Sequence, residues 1–222
     1  MPDIAENIAS LKNELPQGVK LVAVSKTKPV SDILVAYKSG HRIFGENRVQ
    51  ELLSKKDLLP SDIEWHLIGH LQTNKVKYVV PFISMIHSVD SYKLIKTINY
   101  ESEKANRIVD CLLQFHIASE ETKYGFSMDE VIAMISTPEF SKLDSVKICG
   151  VMGMATFTDD ENLIRKEFRY LADCFRELKR RYFPENDSFR EISMGMSGDY
   201  KVAIEEGTTI IRLGSIIFGG RY

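Results

Sequence analysis

Long apolar runs and a strong net charge are both missing from this sequence. No apolar stretch approaches the roughly 20 residues that a membrane-spanning helix needs. The formal net charge is −2, so no overall field favours nucleic acid or an anionic membrane surface. We therefore expect neither nucleic acid nor a membrane as a partner.

Cysteine is scarce, and its placement excludes a disulfide framework. The three cysteines, Cys111, Cys149 and Cys174, are odd in number, far apart and set in apolar segments, which is typical of reduced core thiols. The N-terminus lacks the basic and apolar regions of a signal peptide. Apolar residues at helical spacing in 4–15 instead predict an amphipathic first helix. We expect a cytoplasmic protein.

Several familiar motifs are absent or incomplete. His66 and His70 are four residues apart, but their segment resembles a strand and no glutamate follows His66, so a helical zinc motif is excluded. Residues 195–199 nearly match GxSxG, but the last glycine is displaced. GxGxxG and GxxxxGK[ST] do not occur. These absences argue against a metal site, a nucleophile elbow and the common nucleotide loops.

Short apolar runs alternate with amphipathic segments along the whole sequence. Eight strand–helix units in 222 residues predict a single (β/α)8 barrel domain over 1–222, of the TIM type, with an extra N-terminal helix. An open doubly wound sheet is the alternative. The predicted strands are 19–25, 41–45, 64–69, 83–88, 108–117, 145–151, 190–194 and 209–213. The predicted helices are 30–39, 46–56, 73–79, 91–104, 127–136, 160–182 and 198–206.

Polar and glycine-rich segments follow several of the predicted strands. Lys26 comes directly after the first strand, where desolvation can turn an ammonium into a nucleophilic amine that reacts with carbonyl compounds such as pyridoxal phosphate (PLP). It is alternatively the first solvated residue after a strand. Because the carboxyl ends of barrel strands converge on one face, these segments are expected to lie together.

The last two strands are followed by candidate anion-binding loops. Ser197 and Gly198 are predicted to open a helix, and Gly214 with Ser215 offers a second set of backbone N–H groups; each glycine is alternatively an ordinary turn. Arg212 lies late in an apolar strand, so its guanidinium needs a polar partner. That partner is either the ring nitrogen of PLP or a strand-end acid.

Taken together, these segments resemble the PLP homeostasis protein family, which is related to the N-terminal barrel of alanine racemase. The resemblance runs from about residue 19 to the C-terminus, with its blocks in family order. It is carried by LVAVSKTK at 21–28, FGENRVQE at 44–51, WHLIGHLQ at 65–72, SMGMS at 193–197 with Asp199, RLG at 212–214 and IFG at 217–219.

The resemblance implies a barrel that holds PLP covalently as an aldimine of Lys26. Ser197, Gly214 and Ser215 would bind the phosphate, and Arg212 would face the pyridine nitrogen. Further residues would line the cofactor pocket, namely Asn47, His66 and Met194, with 152–155 as a further part of its wall.

The resemblance also raises the question of catalysis. Racemisation needs a base on each face of the substrate, and in the related racemases the second base is a tyrosine on an additional C-terminal domain. This sequence ends at Tyr222. We therefore expect a non-catalytic protein, without catalytic residues, that buffers PLP or delivers it to PLP-dependent apoenzymes and so affects amino-acid and keto-acid metabolism. We expect it to be a monomer or weak dimer.

Three alternatives stay open at this stage. The protein could be a small PLP-dependent racemase or lyase with Lys26 as its single base, or an interaction domain without a cofactor. Lys123, in the loop after the fifth strand, could be a second landing site for PLP; it is alternatively a solvated loop lysine.

Overall fold

Eight parallel strands close into a barrel in the computed structural model, which describes residues 3–119 and 124–220. Each strand pairs with the next one in sequence, and β8 returns to β1. The predicted (β/α)8 architecture is confirmed, and the open doubly wound sheet is wrong. The strands are β1 Lys20–Val24, β2 Ile43–Glu46, β3 Glu64–Leu67, β4 Met85–Val89, β5 Val109–Gln114, β6 Val146–Met152, β7 Glu191–Ser193 and β8 Ile210–Leu213.

Helices surround the barrel and also precede its first strand. In the described ranges they are α1 Ile4–Glu14, α2 Val30–Lys38, α3 Val49–Lys56, α4 Val76–Val79, α5 Tyr92–Lys104, α6 Met128–Ile135, α7 Glu161–Arg181, α8 Tyr200–Glu205 and α9 Ser215–Phe218. Single 3-10 turns lie at Thr73–Lys75 and Phe140–Lys142. The predicted extra N-terminal helix is α1, which buries Ile4, Ile8 and Leu11.

Local side-chain chemistry sets several helix starts. Asp3, Ser91 and Asp160 cap α1, α5 and α7 by accepting backbone N–H bonds, and Ser127 forms a capping box at α6. The helix predicted over 46–56 begins three residues late, at Val49, because residue 46 still belongs to β2. The segment predicted as a helix over 73–79 begins as a 3-10 turn.

The strands separate two apolar layers. A small inner cluster fills the barrel, and a larger core lies between the strands and the helices. In β1, Val22 belongs to the inner cluster while Leu21 and Ala23 belong to the larger core, as the two-residue period of a strand requires. The inner cluster consists of Val22, Met85, Leu112, Cys149, Met152 and Ile210.

Candidate functional site

Lys26 lies in a turn immediately beyond β1. The strand ends at Val24, Ser25 is fully buried and Lys26 is half-buried. The alternation that turns Val22 into the barrel continues in steps of two towards Lys26. The residue therefore stands at the carboxyl end of the strand, the end at which barrel enzymes carry their sites.

A buried lysine on α3 supports this turn from outside the barrel. The Nζ of Lys55 donates to the carbonyl oxygen of Ser25 at 2.9 Å, to Oε1 of Glu46 at 2.8 Å and to Oε1 of Glu51 at 2.6 Å. The hydroxyl of Ser25 also donates to Oε1 of Glu46, at 2.7 Å. We call Ser25, Glu46, Glu51 and Lys55 the outer network, because it lies between the strands and α3.

The outer network also holds the residue on the other side of Lys26. The backbone N–H of Thr27 donates to Oε1 of Glu51 at 2.5 Å. Thr27 has a φ of 63°, in the left-handed region that β-branched residues avoid. Both neighbours of Lys26 are thus fixed by charged groups of one network.

Glu46 is the member of the outer network whose charged form burial destabilises most. Burial raises the pKa of its carboxyl group, and hydrogen bonds from Lys55 and Ser25 act in the opposite direction. Its second oxygen, Oε2, is buried without a hydrogen-bond partner among the described residues. The carboxyl group is therefore satisfied on one side only.

A second polar network crosses the inside of the barrel. Arg212 on β8 donates through Nη1 to the hydroxyl of Ser193 on β7 at 2.5 Å, and through Nη2 to the carbonyl oxygen of Gly153 at 3.0 Å. Ser193 Oγ lies 2.9 Å from Nδ1 of His87 on β4, and Nε2 of His87 lies 2.9 Å from Nδ1 of His66 on β3. We call Arg212, Ser193, His87 and His66 the inner network.

Burial gives the inner network a single charge. Desolvation lowers the pKa of His66 to about 3 and that of His87 well below its ordinary value, so both rings are neutral near pH 7. Burial also lowers the pKa of Arg212, to about 10, against the opposing field of Asp199. Arg212 therefore stays cationic, and its two hydrogen bonds go to neutral oxygen atoms.

Asn47, just beyond β2, carries an unsatisfied polar atom. Its Oδ1 is buried and has no hydrogen-bond partner in the part of the chain that the structure describes. The loop after β3 approaches it so closely that a Cβ added to Gly69 would lie 2.3 Å from the Asn47 carbonyl oxygen. Buried amide oxygens are normally bonded, so this oxygen is an exception in the described structure.

The loops after β7 and β8 are neighbours of the Lys26 turn, since β8 pairs with both β7 and β1. A Cβ added to Gly214 would lie 3.2 Å from the carbonyl oxygen of Val24. Ser215 opens α9, whose first N–H groups have no intrahelical acceptor. Ser197 and Gly198 form a turn, and the helix predicted to begin at 198 begins at Tyr200 instead.

Met194 and the segment after β6 occupy different layers. The side chain of Met194 is fully buried in the larger core outside the barrel, on the opposite face from Ser193. Within 152–155, Met152 and Met154 pack in or against the inner cluster, and Gly153 accepts the bond from Arg212. Of these residues, the 152–154 segment approaches the inner network and Met194 does not.

Sequence reasoning missed His87, Glu51 and Lys55 as members of these networks. The available signal was weak: His87 is one of two polar residues in β4, at an inward position of the two-residue period. Lys55 resembles an ordinary basic residue near the end of a helix. Lys55 is only 6% exposed, and this burial depends on long-range packing that no local sequence pattern indicates.

The other polar candidates form no metal site in the described part of the chain. No group of three or more metal-ligating side chains occurs within 3–119 and 124–220. His66 belongs to the inner network, whereas His70 bonds Asp90 at 2.8 Å and stacks on Tyr124. Lys123 and Tyr222 lie outside the described residues. Within the described parts, no helix is both long and apolar enough to cross a bilayer.

Comparison with known proteins identifies the family of this chain. The family model described as "Alanine racemase, N-terminal domain" matches residues 1–222. A pyridoxal phosphate homeostasis protein of Aquifex aeolicus is 40% identical over 204 residues, 91% of this chain and 87% of that protein. One from Synechocystis is 40% identical over 212 residues, 93% of this chain and 94% of that protein.

Two solved structures of one further protein are similar over nearly the whole chain. PipY of Synechococcus elongatus is 37% identical, covering 97% of this chain and 100% of its own; the TM-score is 0.91 for the structure without PLP and 0.88 for the structure with PLP bound. Fold and family model define a barrel of the alanine racemase N-terminal class. Within that class, the chain belongs to the pyridoxal phosphate homeostasis protein family.

Proposed function

We propose that this protein binds PLP at the mouth of its barrel and acts in PLP homeostasis, buffering the cofactor or delivering it to PLP-dependent apoenzymes, with effects on amino-acid and keto-acid metabolism. The observation that carries the proposal is the position of Lys26, held in a turn at the end of β1, where Gly214 of the β8 loop lies against Val24. The relatives named pyridoxal phosphate homeostasis protein, and PipY with PLP bound, support it.

The residues at the mouth fit PLP chemically. PLP supplies an aldehyde carbon that a lysine amine attacks, a phosphate dianion and a pyridine nitrogen. Lys26 would hold the cofactor as an aldimine, and Ser197, Gly214 and Ser215 would bind the phosphate. Arg212 would donate to the ring nitrogen, which suits a buried cation bonded to neutral oxygen atoms. Asn47 would supply a further contact through its Oδ1, and the absence of a partner for this oxygen among the described residues supports that role.

We assign the remaining pocket residues by their surroundings. His66 would face the ligand from β3 through its Nε2, which supports this role because Nδ1 is engaged by His87 and Nε2 has no hydrogen-bond partner among the described residues. Met194 would contribute indirectly: its side chain packs outside the barrel and so fixes the backbone of the adjacent Ser193. We also propose a cytoplasmic location, which the three buried free thiols at Cys111, Cys149 and Cys174 support.

Reductive labelling tests the assignment of Lys26. The protein is incubated with PLP, reduced with borohydride, digested and mapped by mass spectrometry. We expect the label on Lys26, and loss of most of it in Lys26→Ala. Lys38→Ala, which removes an exposed lysine of α2, is the matched control and should label like the wild type. Equal labelling in Lys26→Ala and wild type would contradict the assignment.

A second experiment separates a carrier from an enzyme. The PLP-loaded protein is incubated with L-alanine or L-serine in D₂O, and α-deuterium incorporation and the opposite enantiomer are measured. For a carrier, we expect no more exchange than in Lys26→Ala, together with transfer of PLP to an added PLP-dependent apoenzyme. Efficient, stereospecific racemisation that Lys26→Ala abolishes would make the protein a small racemase with Lys26 as its base.

A further inference from the structure

The inner network contains two residues, Ser193 and His87, that no pocket assignment includes. Both are fully buried, on β7 and β4, and their hydrogen bond spans the inside of the barrel. Four strands (β3, β4, β7 and β8) are therefore joined by one line of polar groups above the apolar inner cluster. A polar line in such a place needs every member satisfied, because unpaired buried groups are costly.

The direction of the hydrogen bonds follows from their chemistry. A guanidinium has donors only, so Arg212 donates and Ser193 Oγ accepts. Among the described residues the hydroxyl of Ser193 has only Arg212 and Nδ1 of His87 as partners, so its proton is bonded only if it is donated to Nδ1 of His87, at 2.9 Å. A neutral His87 that accepts at Nδ1 carries its proton on Nε2, and it donates that proton to Nδ1 of His66.

The geometry points to Ser193 and His87 as positioning residues of the cofactor site, which orient the Arg212 guanidinium and set His66 as an Nε2–H donor facing the ligand. This inference rests on the proposed function for its ligand, but the direction of the hydrogen bonds is a property of the protein alone. Low pKa values of His66 and His87 are consistent with it, since a proton added at Nδ1 of His66 would face the N–H of His87, and one added at Nδ1 of His87 would displace the hydroxyl proton of Ser193.

Nitrogen NMR of the histidine rings tests the direction without PLP. In ¹⁵N-labelled protein, with signals assigned through His66→Gln and His87→Gln, we expect both rings as neutral Nε2–H tautomers at pH 7. In Ser193→Ala the Nδ1 resonance of His87 should shift towards that of an unbonded acceptor, and Ser193→Thr should restore it. Ser102→Ala removes a buried hydroxyl that has no partner in the described structure, and it should shift neither ring.

PLP affinity provides the second measurement. If Arg212 loses its hydrogen bond to Ser193, its guanidinium is no longer held in place, and we expect PLP to bind roughly tenfold more weakly. We expect that loss in Ser193→Ala, near-recovery in Ser193→Thr and no change in Ser102→Ala, with Lys26 still the labelled residue. An Nδ1–H tautomer at His87, or unchanged spectra and affinity in Ser193→Ala, would overturn the inference. Absence of label on Lys26 in the wild type would instead overturn the proposed function, and the PLP-free spectra would still decide the direction.

Discussion

The outer and inner networks lie on opposite faces of the same barrel wall and solve the problem of burial in opposite ways. The outer network sets one buried and one half-buried carboxylate against one buried ammonium, with Lys55 and Glu46 at side-chain exposures of 8% and 0%. The inner network buries two neutral imidazoles, a hydroxyl and one guanidinium. The charged groups outside the barrel fix the backbone on both sides of Lys26. Inside the barrel the two imidazoles are neutral, so Arg212 is the one charged member of the inner network that a ligand would meet.

The difference shows how the backbone at the end of β1 can be fixed while the side chain of Lys26 stays accessible to a ligand. If charged groups fixed Lys26 from inside, they would compete with an incoming phosphate and a ring nitrogen. Placing them behind the strands keeps the mouth free of that competition, since β1 and β2 separate them from the barrel interior. The two networks should therefore respond differently to substitution and to pH.

The largest effect should come from breaking the outer network at its cation. Lys55→Met leaves Glu46 and Glu51 without their shared partner, and an unpaired buried charge of this kind costs about 3–5 kcal/mol. We expect the free energy of unfolding in urea to fall by that amount. Lys56→Met changes the neighbouring lysine, which pairs with exposed Asp57, and should cost less than about 1 kcal/mol. Equal losses in the two variants would remove the special role of Lys55.

Acid should act mainly through the buried histidines. Their folded-state pKa values are depressed, so below pH 6.5 the unfolded chain binds protons that the folded chain does not, and stability falls as pH falls. His66, at about 3, and His41, at about 4, should each cost about 2 kcal/mol at pH 5 relative to pH 7. Urea titrations at pH 7, 6 and 5 give the free energy of unfolding as a function of pH. In His66→Gln the slope of this dependence should correspond to about one proton fewer than in the wild type. A wild-type stability that does not change between pH 7 and 5 would contradict this.

Glu46 should show the opposite sign. Its folded-state pKa is raised by burial, so above pH 4.5 the folded chain retains a proton that the unfolded chain has released, and stability falls as pH rises. We expect the stability of wild type relative to Glu46→Gln to decrease from pH 4 to pH 7. Glu139→Gln, at an exposed carboxylate, is the control for general charge effects. A difference that is constant over this range would mean that Glu46 does not titrate as its burial predicts.

The sequence allowed the barrel to be predicted because each strand repeats a local pattern, an apolar run that ends in a polar or glycine-rich loop. Lys26, Arg212 and Gly214 could be singled out for the same reason. The partners of Arg212 could not, because Ser193 and Gly153 reach it only through the closure of the barrel. The helix start predicted at 198 was wrong because Ser197–Asp199 first form a turn, a difference of one loop conformation that spacing does not encode.

The smallest predicted effect tests whether the outer network holds Thr27 against its own preference. A left-handed backbone costs a β-branched residue about 1–2 kcal/mol, and glycine removes that strain. Glycine also increases the conformational entropy of the unfolded chain, which lowers the free energy of unfolding by about 0.5–1 kcal/mol. Thr27→Gly, at φ 63°, should therefore raise stability by less than about 1 kcal/mol. Asn106→Gly, at φ 50°, should change it less, because Asn tolerates this region.

The same pair of variants indicates what the strain does. Because Glu51 bonds the backbone N–H of residue 27, Thr27→Gly keeps that contact and changes only the freedom of the turn. If the network positions Lys26 by restricting this turn, Thr27→Gly should gain stability and yet label more slowly with PLP and borohydride. A gain in stability with unchanged labelling would instead mean that the hydrogen bonds to Ser25 and residue 27 suffice to position Lys26, and that the strain at Thr27 has no part in it.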